Sequence, residues 1–373
     1  MTDARHEYTM ASQGDMKHRC FFITGTTGLV GGYLLDRLVR DPDAELHVLV
    51  RSETLLAARD RVATLGQYFG LPDLADRVGI HVGCISQPGI GLQPESLELI
   101  QSTVTDVVHV AASTSFTDKQ TNRQVNRKGT EHLLDIIPAH ARLFYVSTAY
   151  VGGMAPTIRE DQLNIGQAFR NDYERSKFET ERFVRERYDD RPEQLTVFRP
   201  SIVTGEWTTG RTFQFMTLYR VLRALVAFAR RHPGENFDLE YAPDGTQNYI
   251  PIDRLTDMME EVLRGPQFWG STYHLVNDKP IVNRDFRELV KERMGFNIIN
   301  RKPSEESSKL NRAAVAGNAA YLAYLQGEPK FGCQARNRLA SSRQPMPFDG
   351  DYLDRLLSFC KQTAWGKNLA ICR

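Results

Sequence analysis

Residues 21–38 read FFITGTTGLVGGYLLDRL. Three apolar residues and a threonine have the composition of a short buried strand. YLLDRL then carries apolar residues at helical spacing. Between them TGTTGLVGG sets glycines at 25, 28 and 31, so a GxxGxxG turn joins strand to helix. Without side chains there, the backbone turns tightly and approaches a pyrophosphate, while the first N–H groups of the helix face the anion. A glycine triad alone says little. The strand before it, the helix after it and a second apolar strand ending near residue 51 make it a dinucleotide turn. Gly25, Thr26, Thr27, Gly28, Leu29, Val30 and Gly31 are therefore expected at the cofactor.

The second strand is ELHVLV (45–50), and Arg51 follows it, twenty positions after Gly31. In this fold that place inspects the adenosine ribose. An acidic residue binds its hydroxyls, whereas an arginine suits a 2′-phosphate. Arg51 points to NADPH over NADH, with Glu53 nearby and Arg61, on a helix read over 55–69, as a second phosphate contact. GIHVG (79–83), DVVHVAA (106–112), RLFYVSTAY (142–150) and TVFRPSIVTG (196–205) read as further strands separated by helical stretches. Such alternation predicts an α/β fold, a Rossmann-type doubly wound parallel sheet with ligands at the C-terminal strand ends. The small Ala111 and Ala112 let a cofactor lie close, and His109 reads as a core histidine.

Composition narrows the function. Lys plus Arg number 47 and Asp plus Glu 46 in 373 residues, so no charge excess recruits nucleic acid. The five cysteines lack metal-binding spacing and are odd in number, which fits a reduced, cytoplasmic chain. Residues 1–17 read as a flexible polar tail without a signal core, and no run approaches the length of a membrane span. GxSxG, HExxH and Walker loops are absent from the sequence, which weighs against a hydrolase, a metalloenzyme or ATP-dependent activation.

The chemistry centres on NDYERSKFETE (171–181). Tyr173 and Lys177 stand four apart, on one helix face. An ammonium near a phenol favours phenolate, which would let Tyr173 exchange a proton with a carbonyl oxygen. Ser147 and Thr148 end the fifth strand, and adjacent strand residues face opposite ways, so one of the two serves. Phe213–Ala229 is read as a helix with Phe213, Phe215, Met216, Tyr219, Leu222, Leu225 and Val226 available to line an apolar substrate pocket. Its Arg220 and Arg223 are placed at the mouth. Helices are also expected over 253–263, 283–294 and 352–362, with YHLVN (273–277) as a strand.

TGTTGLVG, HVAA, NRKGT, VSTAYV and YERSK occur in the order found in extended short-chain dehydrogenase/reductases, which the chain resembles. Within that group VSTAYV (146–151), NDYERSKFETE, RPSIVTG (199–205) and YHLVN resemble the thioester reductases: the terminal reductase domains of carboxylic acid reductases and nonribosomal peptide synthetases, and the fatty acyl-CoA reductases. GEPKF (327–331) fits the same group less specifically. The resemblance implies an NADP-binding Rossmann domain over 18–205 and a smaller, mainly helical substrate-binding region over 206–373. It implies Tyr173 as general acid, Lys177 as its partner and a ribose ligand, Thr148 as a hydrogen bond to the substrate oxygen and Asn126 as a support for Lys177 through a water. Pro200, Ser201, Ile202 and Val203 would lie beside the nicotinamide. Cys84 stands where relatives usually carry an adenine-contacting Asp. The implied reaction reduces an acyl thioester, on coenzyme A or an acyl carrier protein, to an aldehyde, with the alcohol as the product of a second turnover. A nucleotide-sugar epimerase or dehydratase, a small-carbonyl reductase and a non-catalytic NADP(H) sensor are the alternatives.

Overall fold

Arg19–Thr24 (β1), Ala44–Val50 (β2), Gly79–Val82 (β3), Asp106–His109 (β4), Arg142–Val146 (β5) and Leu195–Pro200 (β6) are parallel strands. The computed structural model describes residues 19–372, so the tail read over 1–17 lies outside the described residues. A later strand, Thr272–Leu275, pairs parallel with β6 and completes a seven-stranded sheet. Its order is β3-β2-β1-β4-β5-β6 and then that strand, the doubly wound arrangement with its switch point between β1 and β4. β4 is buried throughout and β1 in all but its first residue, which is why they read as continuous apolar runs rather than alternating ones.

Two helical layers cover the sheet. Leu29–Leu38 (α1), Leu55–Phe69 (α2) and Ile252–Arg264 pack on one face around Ile23, Val48, Phe144 and Phe198. Pro94–Thr103 (α3), the segment Lys119–Leu134 (α4) and Asp172–Arg187 (α5) cover the other, around Phe22, Leu143 and Val197. Local signals set these helices. The Thr54 side chain caps α2 by accepting from Ala57 N, and Gly70, at φ 71°, ends it. Asn171 caps α5 by accepting from Glu174 N, with Asp172 and Glu174 in the first turn facing the positive end of the dipole. α4 is not uniform. It runs as α-helix over Lys119–Asn122, widens to a π turn over Arg123–Lys128 and returns to α-helix over Gly129–Leu134.

A second apolar core holds Leu218–Arg231 (α6), Asn283–Met294 (α7) and Gly350–Gln362 (α8). Two readings of the sequence change here. The stretch 196–205, expected as a strand running into a turn, leaves the sheet at Ser201. Ile202–Thr204 leaves the sheet to pair with Tyr249–Pro251, which steers the chain into the second core. The helix expected from Phe213 begins at Leu218, because Phe213 instead stacks on Tyr33 of the first core at 6.0 Å. The helical reading at 283–294 coincides with α7.

Candidate active site

At the C-terminal ends of the strands lies a cleft of about 540 Å³. Its walls include Gly25, Thr27, Gly28, Leu29, Val30, Gly31, Arg51, Arg61, Ala111 and Ala112 at one end. Ser147, Thr148, Tyr173, Lys177, Pro200, Ser201, Ile202 and Val203 stand at the other. Thr26 and Asn126 lie behind the walls, both buried.

The glycine turn needs its glycines. Gly25 sits at φ 79°, and a Cβ there would lie 2.6 Å from Ala111 N; one on Gly31 would lie 2.2 Å from Gly25 O. Gly28 N donates to Gly25 O at 3.0 Å, and α1 starts next, with no acidic residue in its first turn. The buried Thr26 Oγ1 has no partner among the described residues. A bare backbone loop, an unpaired hydroxyl and an uncapped helix N-terminus fit the pyrophosphate of a dinucleotide. Nearby, Arg61 donates to Arg51 O and, at 3.1 Å, to Thr27 Oγ1. Burial lowers the Arg61 pKa first and the neighbouring Arg51 charge second. Cys84 lines the same end, its Sγ 3.1 Å from Ser86 Oγ.

At the opposite end Thr148 follows β5 and donates to Pro200 O at 3.4 Å. Burial pushes the Tyr173 phenol up to about 12; the Thr148 hydroxyl eases it down, and Glu174 raises it further. Lys177, 3 % exposed, donates to Val146 O at 2.7 Å and to Tyr145 Oη at 3.0 Å. Burial lowers its ammonium to about 7, and Glu181 pulls against that. The expected lowering of the Tyr173 pKa by Lys177 is not what this geometry gives. The two side chains leave one helix face, but Nζ reaches the β5 carbonyl and the loss of water outweighs other influences on the phenol. Tyr173 is therefore held as a protonated acid throughout the neutral range.

Asn126 sits in the π turn. Its Oδ1 accepts from Ser113 N at 2.7 Å, and its Nδ2 donates to Ser113 O at 3.1 Å and to Ser176 Oγ at 2.7 Å. It pins the loop after β4 to α5, one residue before Lys177. His109 has a threonine hydroxyl at each ring nitrogen, Thr24 at 2.8 Å and Thr130 at 2.9 Å, and burial holds its pKa at about 3. It is a neutral, satisfied core histidine.

Four aromatic residues at this end went unread in the sequence: Phe116, Tyr150, Tyr321 and Tyr324. Phe116 lies 5.9 Å from Tyr173, 4.8 Å from Tyr321 and 5.6 Å from Tyr324 between ring centres. Tyr150 donates to Glu328 at 2.8 Å, and burial raises that carboxyl to about 7. Tyr150 stands inside VSTAYV (146–151) and Glu328 inside GEPKF (327–331), and YLAY at 321–324 sets two tyrosines three apart on a helical stretch.

Beyond Tyr321 and Tyr324 the cleft meets a narrow apolar cavity of about 30 Å³. Leu218, Val221 and Leu225 of α6 face Phe286, Ile298 and Leu325 across it. Of the seven apolar residues expected to line a pocket, Leu225 lines this cavity and Met216 the cleft. Phe213 belongs to the first core, and Leu222 is fully buried in the second.

Residues 23–259 match the family model described as male sterility protein, an NAD-binding family. The chain is 25% identical over 297 residues to the nonribosomal peptide synthetase asaC of Aspergillus flavus; the match covers 74% of this chain and 28% of that synthetase. The crystal structure of the terminal R domain from the myxalamid PKS-NRPS biosynthetic pathway superposes with TM-score 0.75 at 24% identity, covering 93% of this chain and 92% of that one. A thiolation-reductase di-domain from an archaeal non-ribosomal peptide synthetase gives TM-score 0.70 at 14% identity, covering 94% and 77%. With a dinucleotide turn, a polar Thr–Tyr–Lys end and this family match in one chain, the protein belongs to the male sterility protein family of NAD-binding chains.

Proposed function

We propose that the chain is an NADPH-dependent thioester reductase. Its substrate is an acyl group presented on a carrier protein's phosphopantetheine arm or on coenzyme A. The observation that carries this reading is that the cleft holding Thr148 and Tyr173, hydroxyl donors suited to a carbonyl oxygen, shares Ile202, Thr217, Tyr321 and Tyr324 with an apolar cavity. At the far side of that cavity Gln247, Tyr249 and Asn283 are hydrogen-bonded to one another, which leaves little to bind the hydroxyls of a sugar nucleotide. The likeness to a thiolation-reductase di-domain supports a carrier-bound substrate. Arg51 and Arg61, both lining the glycine-turn end of the cleft, support NADPH, since a 2′-phosphate would pair with these cations.

A bound nicotinamide supplies the hydride. Thr148 and Tyr173 hold the thioester oxygen and stabilise its growing negative charge. Tyr173 gives its phenolic proton to the resulting oxyanion, which is more basic than a phenolate. Lys177 supplies positive charge beside the site, and Asn126 keeps the Ser113 loop against α5. The hemithioacetal then returns its hydroxyl proton to Tyr173 as the C–S bond breaks, and the departing thiolate takes a proton from solvent. One thioester, one NADPH and one proton give an aldehyde, a thiol and NADP⁺. A second hydride transfer to the aldehyde would give the alcohol.

NADPH oxidation against a panel of acyl-CoA and acyl-carrier thioesters, with free thiol measured alongside, tests the reading. Thiol released in step with NADPH supports it. Inertness towards every thioester, with turnover of a nucleotide sugar, replaces it with the epimerase or dehydratase class.

A further inference from the structure

Arg220, in the first turn of α6, is exposed, and its guanidinium lies 5.2 Å from the ring centre of Tyr321. Tyr321 lines both the cleft and the apolar cavity, so this cation stands at their shared rim. Arg220, like Arg223, Arg230 and Arg231 of α6, forms no ion pair among the described residues, whereas Arg284 pairs with Asp244, Arg287 with Glu288, Arg293 with Asp354 and Arg301 with Asp238. The first turn of α6 holds no acidic residue, so the positive helix end adds to the same field. The residue before it, Thr217, sits at φ 46° and also lines both spaces. A non-glycine residue in that region is strained, and such strain concentrates at functional sites. Arg223, also exposed, has no ring contact with a cleft residue.

An aromatic path joins Arg220 to the chemistry. Tyr173 to Phe116 is 5.9 Å, Phe116 to Tyr321 is 4.8 Å, and Tyr321 to the Arg220 guanidinium is 5.2 Å. A phosphopantetheine arm carries two amides and short methylene segments between sulfur and phosphate. That is about four residue lengths of chain, roughly 15 Å when extended. With the thioester at Tyr173, an arm laid along Phe116 and Tyr321 brings its phosphate to Arg220.

Resting on the thioester reading above, we propose that Arg220, held over Tyr321 at the rim of the cleft, is the binding site for the phosphate of the substrate's phosphopantetheine arm. Arg223, one turn further on, is not. The arrangement favours thioesters that carry the phosphate over those that end at pantetheine.

Four thioesters of one acyl group test this: the carrier protein, coenzyme A, phosphopantetheine and pantetheine forms. For each enzyme the ratio of kcat/KM for the phosphopantetheine form to that for the pantetheine form is measured at low and high salt. The wild type is expected to favour the phosphorylated form about tenfold at low salt, and less at high salt. In Arg220→Ala the ratio falls to about one; in Arg220→Lys it is intermediate; in Arg223→Ala it stays at the wild-type value. NADPH titration of each variant establishes that the fold is intact. A ratio near ten retained in Arg220→Ala, or lost equally in Arg223→Ala, overturns the assignment. A wild type that reduces several thioesters at a ratio of one overturns the assignment and leaves the thioester reading standing. A wild type that reduces no thioester overturns both.

Discussion

Arg61 donates to Thr27 and to the Arg51 carbonyl at the end of β2, and both arginines line the glycine-turn end of the cleft. If they meet a 2′-phosphate, Arg51→Ala weakens NADPH by roughly ten- to a hundred-fold, from a charge-assisted contact of about 1.5–3 kcal/mol, and barely affects NADH. Fluorescence titration of both cofactors checks this; equal weakening would make Arg51 a plain surface residue. At the other end the titrating group is Lys177 rather than Tyr173. Burial lowers the ammonium to about 7, so it is charged below that pH and neutral above it, while Tyr173 near 12 keeps its proton across the range. The kcat/KM for reduction is therefore expected to fall above about pH 7 along a single ionisation. Lys177→Arg, whose cation does not titrate there, should flatten that limb whatever its absolute rate. An unchanged limb in the arginine variant would assign the ionisation elsewhere. Tyr173 and Lys177 were legible in the sequence because four residues make one helical turn. Where Nζ points was not, because Val146 O and Tyr145 come from β5, 31 and 32 residues earlier in the chain.

The elements carry a parallel lesson. The cofactor end of the cleft was readable because strand, turn and helix lie in one stretch, with every residue in register. The substrate end draws on Phe116, Tyr150, Tyr173, Tyr321 and Tyr324, which only the fold brings together. The start of α6 was misread because apolar spacing continues through Phe213, while Thr217 at φ 46° interrupts the helix. If the acyl chain enters the cavity beside α6, the face that helix turns inward sets how much of the chain fits. Val221, half-buried, lines a cavity of about 30 Å³, little more than one methylene. Val221→Ala removes two methyl groups, so the preferred thioester should lengthen by one to two methylenes. Each newly buried methylene contributes up to about 0.8 kcal/mol. Thioesters of graded length compared between wild type and variant check this, and an identical length profile would move the acyl chain away from α6.

Across the whole molecule, the sheet and the helix that bears Tyr173 and Lys177 are locked by one buried ion pair. Arg199 of β6 donates to Glu181 of α5, with 2.6 Å between its Nη2 and Oε1, and both side chains are fully buried. Arg199 also donates to Gln162 O at 2.8 Å and lies 3.2 Å from His274 Nε2 in the seventh strand. Burial works to raise the Glu181 pKa, but Arg199 and Arg185 together hold it at about 2, below the 4.5 of an ordinary glutamate. Its ionised form thus contributes stability that is present above about pH 4.5 and lost as pH falls through about 2. Glu181→Gln leaves a buried arginine without its anion and should cost about 3–5 kcal/mol at neutral pH, read from urea unfolding. Its stability should also decline less than wild type between pH 4.5 and 2. A loss below about 1 kcal/mol would mean that the pair does not hold the two layers together.

The most direct test of the account follows the hydride itself. The chain is incubated with an acyl thioester and NADPH carrying deuterium at the transferable C4 position, and products are analysed by mass spectrometry with thiol titration. The account predicts an aldehyde with one deuterium at its carbonyl carbon, one thiol per NADPH oxidised, and loss of both in Tyr173→Phe by roughly 10²–10⁴ in rate. Thiol release without deuterium in the carbon product, or wild-type turnover in Tyr173→Phe, would contradict it.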